Sequence, residues 1–257
     1  MKNICDAGNL NKYILIRLHT VYSSRGVYMH KIISRKGLIF LALFTVLALI
    51  GMKINFSSII GQENQFFTLY QFFGPVAGGF LGIWGAAAVL GAQVLDFILV
   101  GKVINGVNLL RLLPMVFAAL YFGRNGIKGF KDGLGVAVPL LGMIAFWAHP
   151  IGQAAWLYPL YWIIPVAAKF LPDNLLLRSL GATFTAHCIG SVVWLYTIPM
   201  PAEAWLALIP VVAFERGLFA LGIAGSYVVF TNVLAAVDKT FHIGKFVNVE
   251  KRYLLHL

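Results

Sequence analysis

The chain has 257 residues, 60% of them hydrophobic and only 11% charged, with a mean hydropathy of +0.84. A soluble domain of this size carries about 25% charge, and the apolar runs here are continuous rather than alternating in ten-residue strands, which excludes a membrane β-barrel. The net charge of +11 lies in short basic clusters between apolar runs, with no basic stripe interleaved with aromatics. It reads as the positive-inside bias of a membrane protein, and no nucleic-acid partner is expected.

The composition therefore predicts an all-α polytopic membrane protein. Residues 1–36 read as a basic cytoplasmic tail. The first 28 residues are mixed and polar, and Met29 begins a basic stretch followed by an apolar helix. Two readings stay open, a start of translation at Met29 or a longer basic tail. No A-x-A cleavage site follows the apolar run.

Apolar segments lie at about 37–54, 66–100, 107–123, 133–149, 153–171, 175–198 and 204–236, then a basic tail at 237–257. Segment 66–100 poses the main question. Glu63 and Asp96 bracket 32 residues without a charge, and one helix from Phe66 to Val100 would run about 52 Å against a hydrocarbon core of about 30 Å. The basic clusters bear on the choice. Arg25/Lys31/Arg35/Lys36, Arg124/Lys128/Lys131 and Lys239/Lys245/Lys251/Arg252 all fall on the cytoplasmic side if 66–100 is a hairpin broken near Gly82–Gly85, where glycine tolerates the turn. That gives about eight transmembrane helices (range six to eight) with both termini cytoplasmic. His149–Gln153, "HPIGQ", is the point where a kink instead of a turn would remove one crossing.

With this topology the outer helix ends collect polar and aromatic side chains. Glu63, Gln71, Gln93, Asp96, Arg111, His149, Gln153 and Trp156 are the candidate substrate-binding residues. Aromatic walls with a few convergent polar groups describe a small-molecule pocket, although Trp and Tyr also form interfacial belts without a ligand. Asp96 and Arg111 could simply neutralise each other. Gly74, Gly78 and Gly82, four residues apart, form a small-residue ridge for helix packing or for docking a partner. His187 and the Glu215–Arg216 pair lie deep in apolar segments, as structural polar groups or an intramembrane relay. Cys5 and Cys188 lie in a tail and an apolar run and are not expected to pair. No metal-ligand spacing, phosphate-binding loop or catalytic constellation is present, so no cofactor, metal or enzymatic activity is expected.

Three stretches carry a family resemblance: "FFGPVAGGFLGIWGAAAVLGAQVLDFIL" (72–99), "LLRLLPMVFAALYFGRN" (109–125) and "IPVVAFERGLFALGIAGSYVVF" (209–230). Together they resemble the S component, the substrate-binding membrane subunit, of energy-coupling-factor vitamin transporters. The resemblance covers about a quarter of the chain and rests on glycine-rich, apolar motifs. It implies an outward-facing pocket for a vitamin or cofactor precursor, a membrane coupling subunit and two cytoplasmic ATPases. Two features depart from the family: eight expected crossings instead of about six, and a first helix with only Ala42 and Ala48 where the family carries an Ala-xxx-Ala docking motif. The sequence thus leads to a membrane protein that takes up a small water-soluble metabolite. A proton- or cation-coupled secondary transporter and a non-catalytic structural subunit of a membrane complex are the alternatives.

Overall fold

A computed structural model describes residues 35–58, 66–123, 130–241 and 250–255. The chain divides into two compact units, Met1–Leu43 and Phe44–Leu257. The first contributes only the opening turns of a helix to the described residues; the remaining elements belong to the second. Glu63, with Arg25, Lys31, Arg124, Lys128 and Lys245 of the basic clusters, lies outside the described residues.

The fold is almost entirely helical. Helix α1 spans Arg35–Lys53 and leads into a two-stranded antiparallel sheet, β1 (Asn55–Ser58) and β2 (Phe66–Thr68). Next come α2 (Tyr70–Phe73), α3 (Val76–Leu81) and α4 (Ile83–Leu99), then α5 (Gly106–Leu110), α6 (Leu113–Phe122) and α7 (Phe130–Ala148). Helix α8 (Pro150–Ala154) passes through a 3-10 turn at Tyr158–Trp162 into α9 (Ile163–Phe170). Two long helices close the bundle, α10 (Leu175–Thr197) and α11 (Ala202–Phe241). Among the described residues, these two have the length and hydropathy to cross a membrane, and four shorter apolar helices reach 10–17 residues.

Segment 66–100 is not one helix. It breaks at Gly82, whose φ of 62° and ψ of −131° lie where side-chain-bearing residues are strained. Beyond the break the chain doubles back, and a Cβ on Gly85 would overlap the Ala77 carbonyl. Glycine is thus required twice, once for the turn and once for the close return. The ridge residues are consumed inside the fold. A Cβ on Gly78 would overlap the Ala119 carbonyl of α6, and one on Gly74 would press on Tyr70 and Met115. This is packing of the small-residue type, with no open face left at Gly78 for docking.

His149–Gln153 is a turn as well. His149 is extended at φ −87° and ψ 137°, and its Nδ1 accepts a hydrogen bond from the Ile151 N–H at 3.3 Å. The chain then returns along α7, with Phe146 stacked on Tyr158 at 5.5 Å and Lys169 beside Gly135. Phe146, Trp162, Trp205 and Phe184 hold this half of the core.

Helix α10 is the central element, buried from Gly181 to Cys188. Asn174 caps its start, accepting from the Leu176 and Leu177 N–H groups at 2.8 and 3.3 Å. Two of its hydroxyls bond within the helix: Ser179 donates to the Leu175 carbonyl at 2.8 Å and Thr185 to that of Gly181 at 2.7 Å.

Helix α11 runs past residue 236 to Phe241, and the last described residues return to the bundle. Glu250 accepts from Arg178 Nη1 at 2.6 Å, Tyr227 Oη at 2.9 Å and Arg252 Nε at 2.9 Å, while Arg252 also reaches Asp173. Asn232 clasps the same segment, donating to the Tyr253 carbonyl at 2.9 Å and accepting from the Leu255 N–H at 2.7 Å. Burial pushes the Glu250 carboxyl up, but the hydrogen bond and charge of Arg178, helped by Arg252 and Tyr227, hold it below the ordinary 4.5. A depressed carboxyl pKa stabilises above its unfolded value, and that stability is lost as pH falls through the folded value. Residues 250–255 should therefore detach below pH 4.5, and Glu250→Gln should detach them at neutral pH. Faster protease cleavage in this segment is the expected readout; equal cleavage of both proteins at neutral pH would sink the idea.

Candidate ligand cavity

A cavity of about 580 Å³ opens between the two ends of the Gly82 hairpin and helices α10 and α11. Helical periodicity supplies its walls. Trp205, Leu208, Val212, Glu215 and Arg216 line it from α11 and His187, Gly190, Ser191 and Trp194 from α10, at spacings of three and four along one helix face. Phe66, Phe67 and Thr68 of β2 close one side. That sheet was not expected from the sequence, which reads as a loop at β1 and as the start of the apolar segment 66–100 at β2. It anchors through Phe56, edge-on to Phe72 at 4.9 Å, and Phe67, edge-on to Phe219 at 5.3 Å.

Four of the predicted pocket residues, Gln71, Gln93, Asp96 and Arg111, line this one cavity. Because the hairpin folds at Gly82, Gln71 near its start and Gln93 and Asp96 near its end face a common space. Gln93 Nε2 donates to the Leu112 carbonyl at 3.1 Å, which ties α4 to the approach to α6. His149, Gln153 and Trp156 do not line it. His149 packs edge-on to Tyr196 at 5.0 Å, and Gln153 and Trp156 are exposed. Their sequence neighbourhood is polar, but the α7–α8 turn carries them away from the hairpin ends.

The pairing of charges differs from expectation. Asp96 does not pair with Arg111; its partner is Lys53 at the end of α1, at 2.6 Å. Arg111 instead sits over the Trp194 ring at 5.5 Å and Lys102 over Phe97 at 5.3 Å. Glu215 and Arg216 pair with each other at 3.5 Å. The Arg216 guanidinium lies against both the Phe67 and Phe219 rings, at 4.9 and 4.7 Å, with one nitrogen 3.5 Å from Thr183 Oγ1. Of the charged residues lining the cavity, both carboxylates are matched. Lys102 and Arg111 have no carboxylate partner among the described residues.

His187 is held by a chain of fixed direction. Trp162 Nε1 donates to His187 Nδ1 at 3.0 Å, and an indole N–H can only donate. Nδ1 is therefore the acceptor and Nε2 carries the proton of the neutral ring. Nε2–H then donates to Tyr158 Oη at 2.9 Å, leaving the Tyr158 proton for Ser191 Oγ at 3.4 Å. The chain runs from the core to the cavity wall and presents hydroxyls there. Protonation of Nδ1 would turn an acceptor into a donor facing another donor, so this arrangement suits orientation rather than proton transfer. The sequence singled out His187 without joining it to Tyr158 or Trp162, because these partners lie on a turn 25 to 29 residues away.

Seven buried side-chain atoms lack a hydrogen-bond partner among the described residues, and four belong to residues lining this cavity: Tyr70 Oη, Arg111 Nε, Trp205 Nε1 and Arg216 Nε. Unmatched buried polar atoms each cost about 1–3 kcal/mol, and their concentration at one cavity marks it as unlike the rest of the interior. No three His, Cys, Asp or Glu side chains converge as metal ligands among the described residues. Comparison with family models, curated proteins and solved structures gives no match for this chain.

Proposed function

We propose that this chain is a multi-pass membrane protein that binds a small water-soluble metabolite, of vitamin or cofactor-precursor type, for uptake. The observation that carries the reading is the cavity. It joins amides, unmatched donors and the cations Lys102 and Arg111 to aromatic walls, inside a molecule whose outside is apolar. Phe214 (73% exposed), Leu221 (59%) and Val229 (59%) form an outward stripe on α11, and Leu141 and Ile144 continue the apolar surface on α7. Such large exposed side chains suit lipid rather than water. With the positive-inside bias, the hairpin ends and the cavity belong to the outer half of the membrane, eight segments cross it, and both termini are cytoplasmic.

An energy-coupling-factor arrangement, with a coupling subunit and cytoplasmic ATPases as partners, stays in the proposal only in its general form. Ala48 is fully buried and the ridge at Gly78 is occupied by α6, so a coupling subunit would need another face. The fixed tautomer of His187 counts against a proton-coupled transporter that uses this histidine.

Thermal unfolding of the purified protein against a vitamin and nucleobase panel tests the reading. A ligand present at 100 times its Kd stabilises by about 2.7 kcal/mol, so at least one compound should raise the midpoint clearly and saturably. A panel without any stabilising member would contradict it.

A further inference from the structure

We propose that the cavity selects an organic anion, specifically a carboxylate carried on a flat, apolar ring. The inference rests on the reading of the cavity as a ligand site and adds its charge and shape. Three observations converge on it. First, the charged groups of the lining do not cancel. Asp96 is neutralised by Lys53 and Glu215 by Arg216, while Lys102 and Arg111 rest on aromatic rings with no carboxylate partner among the described residues. Second, the unmatched buried atoms of the lining residues are donors. Arg111 Nε, Arg216 Nε and Trp205 Nε1 can only donate, and Tyr70 Oη can donate. Tyr70, Trp205 and Arg216 are each at least 97% buried, so water does not readily satisfy them, and an acceptor-rich group is the complement. Third, the apolar lining is largely aromatic: Phe66, Phe67, Tyr70, Phe97, Trp194 and Trp205. Rings favour offset or edge-on contact with another ring, and such walls lose little rotamer entropy when they close on a flat body.

Arg111 is the residue assigned to reading the charge. It lies between α5 and α6, lines the cavity, and holds its guanidinium carbon over the Trp194 ring, 5.5 Å from the ring centre. A cation–π contact consumes no N–H group, so the guanidinium keeps donors for a carboxylate, which arginine presents as a fork that lysine lacks. Lys102 adds charge near the same opening without that directional requirement. An amide isostere of the acid would keep the ring contacts and forfeit the charge-assisted bonds.

The test uses the full chain in phosphatidylcholine nanodiscs and tryptophan fluorescence, since Trp194 and Trp205 line the cavity. Benzoate, nicotinate and indole-3-acetate are titrated beside benzamide, nicotinamide and indole-3-acetamide. At least one acid should bind on the order of 10- to 100-fold tighter than its own amide, the range expected for hydrogen bonds to a charged group. Arg111→Gln should erase that preference, and Arg111→Lys should restore part of it; unchanged melting separates lost recognition from lost folding. Lys102→Gln, at an exposed position, should weaken the acid by a smaller factor and gives a second reading if Arg111→Gln does not fold. Amides binding as well as the acids would overturn the charge assignment while leaving the cavity a ligand site. Binding by no member of any pair would overturn the proposal, whereas the uptake reading falls only if the wider metabolite panel fails too. Repeating the titration in phosphatidylglycerol discs distinguishes the source of the anion. Equal acid affinity in both discs is expected; its loss in anionic lipid would mean that a lipid headgroup takes the site and would overturn a soluble acid.

Discussion

Gly78→Ala is expected to destabilise the protein by about 3 kcal/mol or more, although it adds a single methyl group to a helix. A Cβ at this position would overlap the Ala119 carbonyl, which is backbone and cannot rotate away. Overpacking against a rigid neighbour costs at least the upper end of the usual range of about 1–3 kcal/mol. The two helices would have to separate, which would also move Gln93 away from the Leu112 carbonyl and deform the cavity wall. Gly91→Ala is the matched control, because a Cβ there meets nothing within 4 Å. It should be neutral or slightly stabilising, since alanine is the better helix former by about 1 kcal/mol. Unfolding of both variants in the same detergent gives the comparison. Equal stability would mean that α3 and α6 are not packed in this way.

The second large effect is at His187. His187→Ala should cost about 3 kcal/mol or more, because it removes the acceptor for Trp162 Nε1 and the donor to Tyr158 Oη and leaves a void in a buried site. Each orphaned buried group costs about 1–3 kcal/mol. His187→Gln can place an acceptor toward Trp162 and a donor toward Tyr158, so it should recover much of the loss. His149→Ala should cost less than about 1 kcal/mol, because that ring makes one 3.3 Å bond at the start of a short, partly exposed helix. A reversed ranking of the two histidines in thermal unfolding would refute the hydrogen-bond chain.

Much of this architecture comes from local rules. The 17-residue α4 and 10-residue α6 end close to where the apolar runs end, because apolar length and glycine placement are properties of short stretches. The break at Gly82 was legible for the same reason: the run was too long for one crossing, and glycine was the residue able to turn it. Once the hairpin is accepted, Gln71, Gln93 and Asp96 must share a side, and Arg111 follows Asn108 at the start of the next apolar segment.

The register between distant elements is not written in local patterns. Lys53 and Asp96 are 43 residues apart, and nothing in their neighbourhoods favours that pairing over Asp96 with Arg111. The sheet at β1 and β2 is two strands of four and three residues, too short for alternation to stand out beside an apolar helix. Trp194 and Trp205 read as interfacial aromatics at the outer helix ends, and only packing brings them to one cavity with Tyr70. His187, Glu215 and Arg216 looked like isolated intramembrane polar groups. Their position on the same wall as the predicted pocket depends on how α10 and α11 rotate about their axes, which their weak amphipathic patterns leave open.

The central claim is that one cavity, reached from outside the cell, lies between the two ends of the Gly82 hairpin. Single cysteines at Gln71 and Gln93, in a background with Cys5 and Cys188 replaced, test it most directly through a membrane-impermeant thiol reagent. Both positions should label in right-side-out membranes and stay protected when the reagent reaches only the cytoplasmic face, whereas a cysteine at the buried Ala119 should label from neither side. Labelling of Gln71 and Gln93 from opposite faces would mean a single crossing through 66–100 and would contradict both the topology and the cavity.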